Sequence, residues 1–480
     1  MAHSESPFQV IEHVVPGQHI REYARATATI DGPLDLVVKQ YIPLDNPRPQ
    51  WGDLTIIAAH GSGLPKELYE PLLEEIHQRS KTAGFQIRSV WFADAAHQGA
   101  SGMLNEPNLG NDPSWFDHAR DVIAMVNHFR NDMVRPIVGL GHSMGAGQLI
   151  LTSLMHPRLF TSLILLEPVF DKSIHTCRGP ALTRASTFRR DVWSSREEAA
   201  CAARKAYKRW DPRVMERWLN FGYRTMPSVV HPNTRGLQQR LEQIGEQSSA
   251  CFDINQWLEQ RSTGSDELRP SDGGKNWSTS DLEPVTLATT KHQEVFSYLR
   301  PNFKGIRVVS ETSPETLVPA GRTTIPEIEA TKLDGLDRSE IPDLVGPPDA
   351  TVPFYRAEPV IAYLALPHIR PSVFYVFGEK SPLSAPELRR SKLERTGTGV
   401  GGSGGAKAGR VADVEIARGT HFVPLERVAE CAAAVFGWLG GESSRWKIDE
   451  ERLVAAWEAK SAREKATVTP EWVDKIKSLL

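Results

Sequence analysis

The chain predicts an α/β fold, a mostly parallel sheet with helices on both faces and a large inserted helical lid. Three observations predict it. Apolar runs without alternation, such as Leu54–Ala59 and Ser162–Leu166, are separated by segments with apolar residues at helical spacing, the pattern of strands buried on both faces. The rhythm breaks after Phe170 and does not resume until near Phe354, too long a gap for an ordinary connection. Between a strand and a helix stands Gly141-His142-Ser143-Met144-Gly145, whose glycines leave room for a sharp turn that lifts a serine hydroxyl clear of the backbone.

The elements follow in order. Residues 26–43 alternate apolar and polar around Asp31-Gly32-Pro33 and predict an antiparallel hairpin that opens the sheet, within a first core part over 20–170. Leu54–Ala59 is a buried strand ending at His60-Gly61-Ser62-Gly63, and a helical period follows over 68–81, making one right-handed crossover unit. The pattern repeats with a strand at 87–92, a helix over 117–133, a strand at 137–140 feeding the serine turn, a helix over 147–160, and the strand Ser162–Leu166 ending at Glu167-Pro168. The lid is expected over 171–353. Its first part, 171–225, is helical and aromatic, with Trp193, Trp210, Trp218, Phe221 and Tyr223; 227–280 and 305–352 read as polar loop or disorder; 282–303 has an ordered composition. A second core part, 354–445, carries a helix at 354–366, a strand at 372–377 ending at Gly378-Glu379-Lys380-Ser381, and a low-complexity glycine-rich surface loop at 397–409. Its last strand, 413–417, ends at Gly419-Thr420-His421-Phe422-Val423-Pro424 before a helix at 427–439, and 446–480 reads as a charged helical tail.

Composition narrows the partners. With 56 basic and 59 acidic residues the formal charge is −3, which points away from nucleic acid and anionic membrane surfaces. Cys177, Cys201, Cys251 and Cys431 show no metal-ligand spacing and are expected as reduced thiols in an intracellular compartment. The N-terminus is polar without an apolar signal core, and no run approaches a membrane span, so a soluble cytoplasmic or peroxisomal protein is expected. Ser478-Leu479-Leu480 is similar to the peroxisomal address Ser-Lys-Leu but lacks its basic middle residue. An internal Ser391-Lys392-Leu393 cannot act as that address, which needs a free C-terminus. Between Arg178 and Arg213 ten basic residues face four acidic ones, either a solvated helix face or a site for an anionic substrate group such as a phosphate.

A serine hydroxyl is a poor nucleophile unless a base takes its proton and a third group orients that base. His421, in a short turn between the last strand and a helix, is the candidate base. His142 reads as a packing residue under the turn. The position after strand 372–377 that often carries an acid holds Ser381, so the acid is sought after the strand that follows the serine's own helix, where Glu167 stands; Glu379 and Asp171 are the alternatives. An oxyanion needs backbone N–H donors aimed at it, expected from Met144 and from Ser62, with Gly63 as the fallback.

Together the G-x-S-x-G turn and the order Ser143, Glu167, His421 resemble the α/β-hydrolase superfamily. The stretches from His60 through Pro71, from Asp112 through Asp121 and from Trp193 through Ala199 resemble fungal toxin-biosynthesis and peroxisomal acyl-CoA hydrolases, whose acid also follows the strand after the elbow helix. The likeness covers most of 20–225, 282–303 and 354–440. Those relatives carry Asp where this chain has Glu167. The resemblance implies a serine esterase or thioesterase acting through an acyl-enzyme on a small-molecule acyl ester or thioester, without metal or organic cofactor. A lipase or lactonase, or a non-catalytic fold binding a ligand under its lid, are the other readings.

Overall fold

The computed structural model describes residues 6–170, 179–232, 283–301 and 354–479. Asp171, Leu480, all of 305–352 and most of 227–280 lie outside the described residues, as do Cys177 and Cys251. The core is an eight-stranded sheet. Its strands are β1 (Phe8–Pro16), β2 (Asp35–Pro43), β3 (Leu54–Ala59), β4 (Ile87–Ala93), β5 (Ile137–His142) and β6 (Ser162–Leu166). After five short strands outside the sheet, Val192–Trp193 (β7), Tyr223–Thr225 (β8), Val285–Leu287 (β9), Arg300–Pro301 (β10) and Phe354–Tyr355 (β11), it finishes with β12 (Ser372–Gly378) and β13 (Val411–Ile416). The spatial order is β1-β2-β4-β3-β5-β6-β12-β13. The first three in that order pair antiparallel and the rest parallel.

Every residue of β3, β5, β6 and β12 is buried, which is why these strands read as unbroken apolar runs. Neighbours on a strand serve opposite layers. Ile56 packs with Leu72, Ile76, Val435 and Leu439, whereas Ile57 packs with Val122, Leu149 and Leu151. The covering helices include α1 (Glu70–Ser80), α2 (Gly99–Asn105), α3 (Trp115–His128) and α4 (Met144–Met155). Ser114 and Asp117 close a reciprocal cap on α3, satisfying N–H groups that the first turn leaves free. The lid enters between β6 and β12, which are adjacent parallel strands. In it β7, β9 and β8 form a small antiparallel sheet, and Trp193, Trp210, Trp218 and Tyr223 form one edge-to-face aromatic cluster.

Three expectations change. The opening hairpin pairs β2 with Phe8–Pro16, not with residues near 26; β1 is an edge strand with only Phe8 and Val15 buried, so its pattern is faint in sequence, and Ala24–Ala26 is instead a turn of 3-10 helix. The ordered core therefore starts before residue 20. The helix expected at 427–439 continues unbroken as Val428–Glu458, past the expected boundary at 446, because Trp446 is still buried and Glu450 pairs with Arg135 at 2.9 Å. Beyond it, Ala462–Ala466 and Pro470–Lys477 are exposed helices. The glycine-rich 397–409 segment is a loop whose backbone is tied down: Gly397 and Gly399 donate to the carbonyls of Leu366 and Pro367, Ser403 to that of Ile369, and Gly404 to that of Gly397.

Candidate active site

At the end of β5 the backbone of Ser143 adopts φ 56° and ψ −114°, a conformation that a non-glycine residue holds only where the surroundings enforce it. The two glycines of the motif have separate steric reasons. A Cβ on Gly141 would stand 2.7 Å from Ala146 Cα, where α4 folds back over β5, and one on Gly145 would stand 2.3 Å from the Ala59 carbonyl oxygen. The start of α4 is thereby pressed against the end of β3. That contact brings the 60–63 turn beside the serine.

His421, from the turn after β13, places Nε2 2.9 Å from Ser143 Oγ. Its Nδ1 lies 3.3 Å from Glu167 Oε2. Glu167 is completely buried at the end of β6, with a positive φ of 47°, and its carboxylate is held from a different strand: Gly378 N–H donates to Oε1 at 2.6 Å and the Ser381 hydroxyl donates to Oε2. Ser381, in the slot where an acid was sought, thus donates to a carboxylate that stands one strand away. Glu379 points elsewhere. It pairs with Lys380 at 2.8 Å and accepts the Arg418 N–H at 2.7 Å, at the surface. Gly378 also has no room for a side chain, since a Cβ would stand 2.5 Å from the Thr420 carbonyl, so β12 runs directly against the histidine turn.

The other side of the serine is the turn after β3. Gly61 N–H donates to Tyr69 Oη, Gly63 N–H to Gln98 Oε1 at 2.8 Å, and Leu64 N–H to the Gly61 carbonyl. Among the described residues the Ser62 N–H has no such partner. Met144 is the first residue of α4, so its N–H has no acceptor within the helix. Gln98, fully buried, clamps the turn from both sides, because its Nε2 also donates to Ser62 Oγ at 3.1 Å and to Ser297 Oγ of the lid at 2.8 Å.

Comparison with known proteins follows the same line. The model of the alpha/beta hydrolase family matches residues 56–264. A type I acyl-CoA thioesterase of Penicillium roqueforti is 34% identical over 448 residues, covering 92% of this chain and 90% of that one. The chain belongs to the alpha/beta hydrolase family. A second type I acyl-CoA thioesterase, of Penicillium brevicompactum, is 34% identical over 454 residues, 94% of this hydrolase and 91% of that protein. Among solved structures, the peroxisomal alpha-beta-hydrolase of Saccharomyces cerevisiae shares the fold with a TM-score of 0.58 at 14% identity, covering 95% of this chain and 100% of that one. The eight-stranded, mostly parallel sheet of this hydrolase is the family's fold.

Some of the hydrolase's site residues are invisible in the sequence. His142, expected only to pack, has Nε2 2.9 Å from the His421 carbonyl and Nδ1 2.6 Å from Tyr69 Oη. The carbonyl can only accept, so Nε2 carries the proton and Nδ1 accepts from the tyrosine. Burial, and next the neighbouring His421, push the His142 pKa down to about 3, so the ring stays neutral. This chain ties the elbow, the 60–63 turn and the histidine turn into one unit. The lid reaches the same place: Trp210 packs edge-on to Phe422, and Asp211 N–H donates to the Leu425 carbonyl. Much of the basic excess in 178–213 is met by acids, with Arg189 on Glu294, Arg190 on Glu198, Arg209 on Glu426 and Arg213 on Glu75. Among the described residues Arg204, Lys205 and Lys208 have no ion pair.

Proposed function

We propose that this hydrolase cleaves an ester or thioester through an acyl-enzyme on Ser143. The observation that carries the reading is the 2.9 Å contact of His421 Nε2 with an Oγ held on a strained elbow, with Glu167 behind the imidazole. As Oγ attacks the carbonyl carbon, His421 takes its proton and Glu167 holds the imidazolium that forms. Charge moving onto the carbonyl oxygen is received by the N–H groups of Met144 and Ser62, each worth about 10²–10³-fold in rate. His421 then gives its proton to the departing thiolate or alkoxide, and water repeats the sequence in reverse to free the acid and regenerate the serine.

Acyl-CoA thioesters are the first substrate class. Support comes from the thioesterase relatives and from Arg204, Lys205 and Lys208, which flank Tyr207 and Trp210, the rings stacked at 4.2 Å beside the histidine turn. Carboxylic esters and lactones come next. Purified protein screened against acyl-CoAs and simple esters tests this, with Ser143→Ala as control. The expected result is loss of about 10⁴-fold or more in kcat and of labelling by a serine-directed phosphonate. Hydrolysis unchanged by Ser143→Ala would overturn the mechanism, and wild type that neither turns over nor labels would leave a ligand-binding fold.

A further inference from the structure

The lid helix Lys291–Tyr298 presses a carboxylate onto the turn that carries Ser62. A Cβ on Gly63, whose φ is +75°, would lie 2.8 Å from Glu294 Cδ and 2.9 Å from Oε2. Glu294 is 5% exposed. Its Oε1 accepts from the Ser186 and Tyr298 hydroxyls, each at 2.8 Å. Its Oε2 stands 2.5 Å from Arg189 Nη2, a charge-to-charge contact without the direction of a hydrogen bond. The same helix fastens to the turn a second time, since Ser297 Oγ receives the Gln98 amide that also holds Ser62.

A buried negative charge one residue from an oxyanion donor opposes the charge that develops during reaction, unless it is cancelled where it stands. The only cation that the structure places on Glu294 among the described residues is Arg189. We propose that the Arg189–Glu294 pair is an electrostatic part of the oxyanion site: Glu294 braces the Ser62-Gly63 turn from the lid, and Arg189 neutralises it so that the brace does not raise the barrier. Both are positioning residues. The inference rests on the reading of Ser143 as nucleophile with Ser62 and Met144 as oxyanion donors.

The test is a charge-balance series assayed on p-nitrophenyl butyrate for kcat and KM, and on the rate of labelling by a p-nitrophenyl phosphonate, whose phosphoryl oxygen occupies the oxyanion position. Arg189→Met strands the carboxylate and is expected to lower kcat and the labelling rate about ten- to a hundredfold, with KM changed far less. Arg189→Lys keeps the charge and Arg189→Met/Glu294→Gln removes both; each is expected to return to within about threefold of wild type. A merely structural clamp predicts the opposite, because the double variant would be as slow as Arg189→Met or slower. Equal rates for Arg189→Met and the double variant, for Arg189→Met and Arg189→Lys, or for Arg189→Met and wild type, would overturn the proposal. Ser143→Ala, run alongside, separates the two levels: if it is inactive while the series shows no rescue, the inference alone fails, and if it remains active, the reading beneath it fails.

Discussion

The displaced acid can be tested by one atom pair. Replacing Glu167 with Gln keeps shape and volume but makes one terminus a donor. Oε1 accepts the Gly378 N–H at 2.6 Å, a bond only the amide oxygen can keep, so the new NH₂ must face the Ser381 hydroxyl and His421 Nδ1. Nδ1 then accepts, the proton moves to Nε2, and the nitrogen 2.9 Å from Ser143 Oγ can no longer take the serine's proton. The wrong tautomer should cost about 10³–10⁴-fold in kcat, or roughly 4–5.5 kcal/mol on the barrier at about 1.4 kcal/mol per decade. Glu379→Gln is the control. Its carboxylate meets Lys380 and the Arg418 N–H at the surface, so kcat should stay within about threefold of wild type. Steady-state kinetics on an acyl-CoA or a p-nitrophenyl ester reads both. Glu167→Gln retaining more than about a tenth of wild-type kcat, or Glu379→Gln falling as far, would refute the assignment.

Three further outcomes can be measured, two at hydrogen bonds of the site and one at a buried histidine. Ser381→Ala removes a hydroxyl donated to the buried Glu167 carboxylate, and kcat should fall about tenfold, since a hydrogen bond to a charged group is worth about 1.5–3 kcal/mol; unchanged kcat would make Ser381 a bystander. Tyr69→Phe leaves both the Gly61 N–H and His142 Nδ1 unpaired in the interior, and urea denaturation should show a loss of about 2 kcal/mol or more, whereas a change under about 0.5 kcal/mol would contradict the network. His118 is buried with neither ring nitrogen hydrogen-bonded, and burial pushes its pKa from 6.5 down to about 3. The unfolded chain therefore binds one more proton than the folded one between those values, and stability drops as pH falls through that window. His118→Leu should flatten the fall by up to about 1.4 kcal/mol per pH unit, and an unaltered slope in denaturation curves at pH 6, 5 and 4 would reject the cause.

As candidates, Ser143 and His421 were legible because each is announced locally, one by a glycine-flanked turn between strand and helix, the other by a short turn after the last strand, and the fold brings the two together. Glu167 needed one step more. Its strand end is readable from the apolar run before it, but what singles it out over Glu379 is Gly378 and Ser381, more than two hundred residues further along the chain. Gln98 and Ser297 are 199 residues apart, and Tyr69 and His142 are 73 apart, and no periodicity joins such pairs. Arg189 and Glu294 could be counted as charges, not as neighbours.

The sequence by itself determined the mostly parallel sheet, the insertion between β6 and β12 and the elbow, because burial on two faces and a tight turn each write a pattern into adjacent residues. It did not reveal the edge strand β1, whose side chains are mostly solvated, or the continuity of the Val428–Glu458 helix, which rests on packing of Trp446 and the Glu450 pair with Arg135. Only the tertiary structure decided which hydrogen bonds orient the imidazole and brace the 60–63 turn. Those partners converge from separate strands and the lid, and their spacing along the chain obeys no local rule because it is set by where the sheet brings strand ends together.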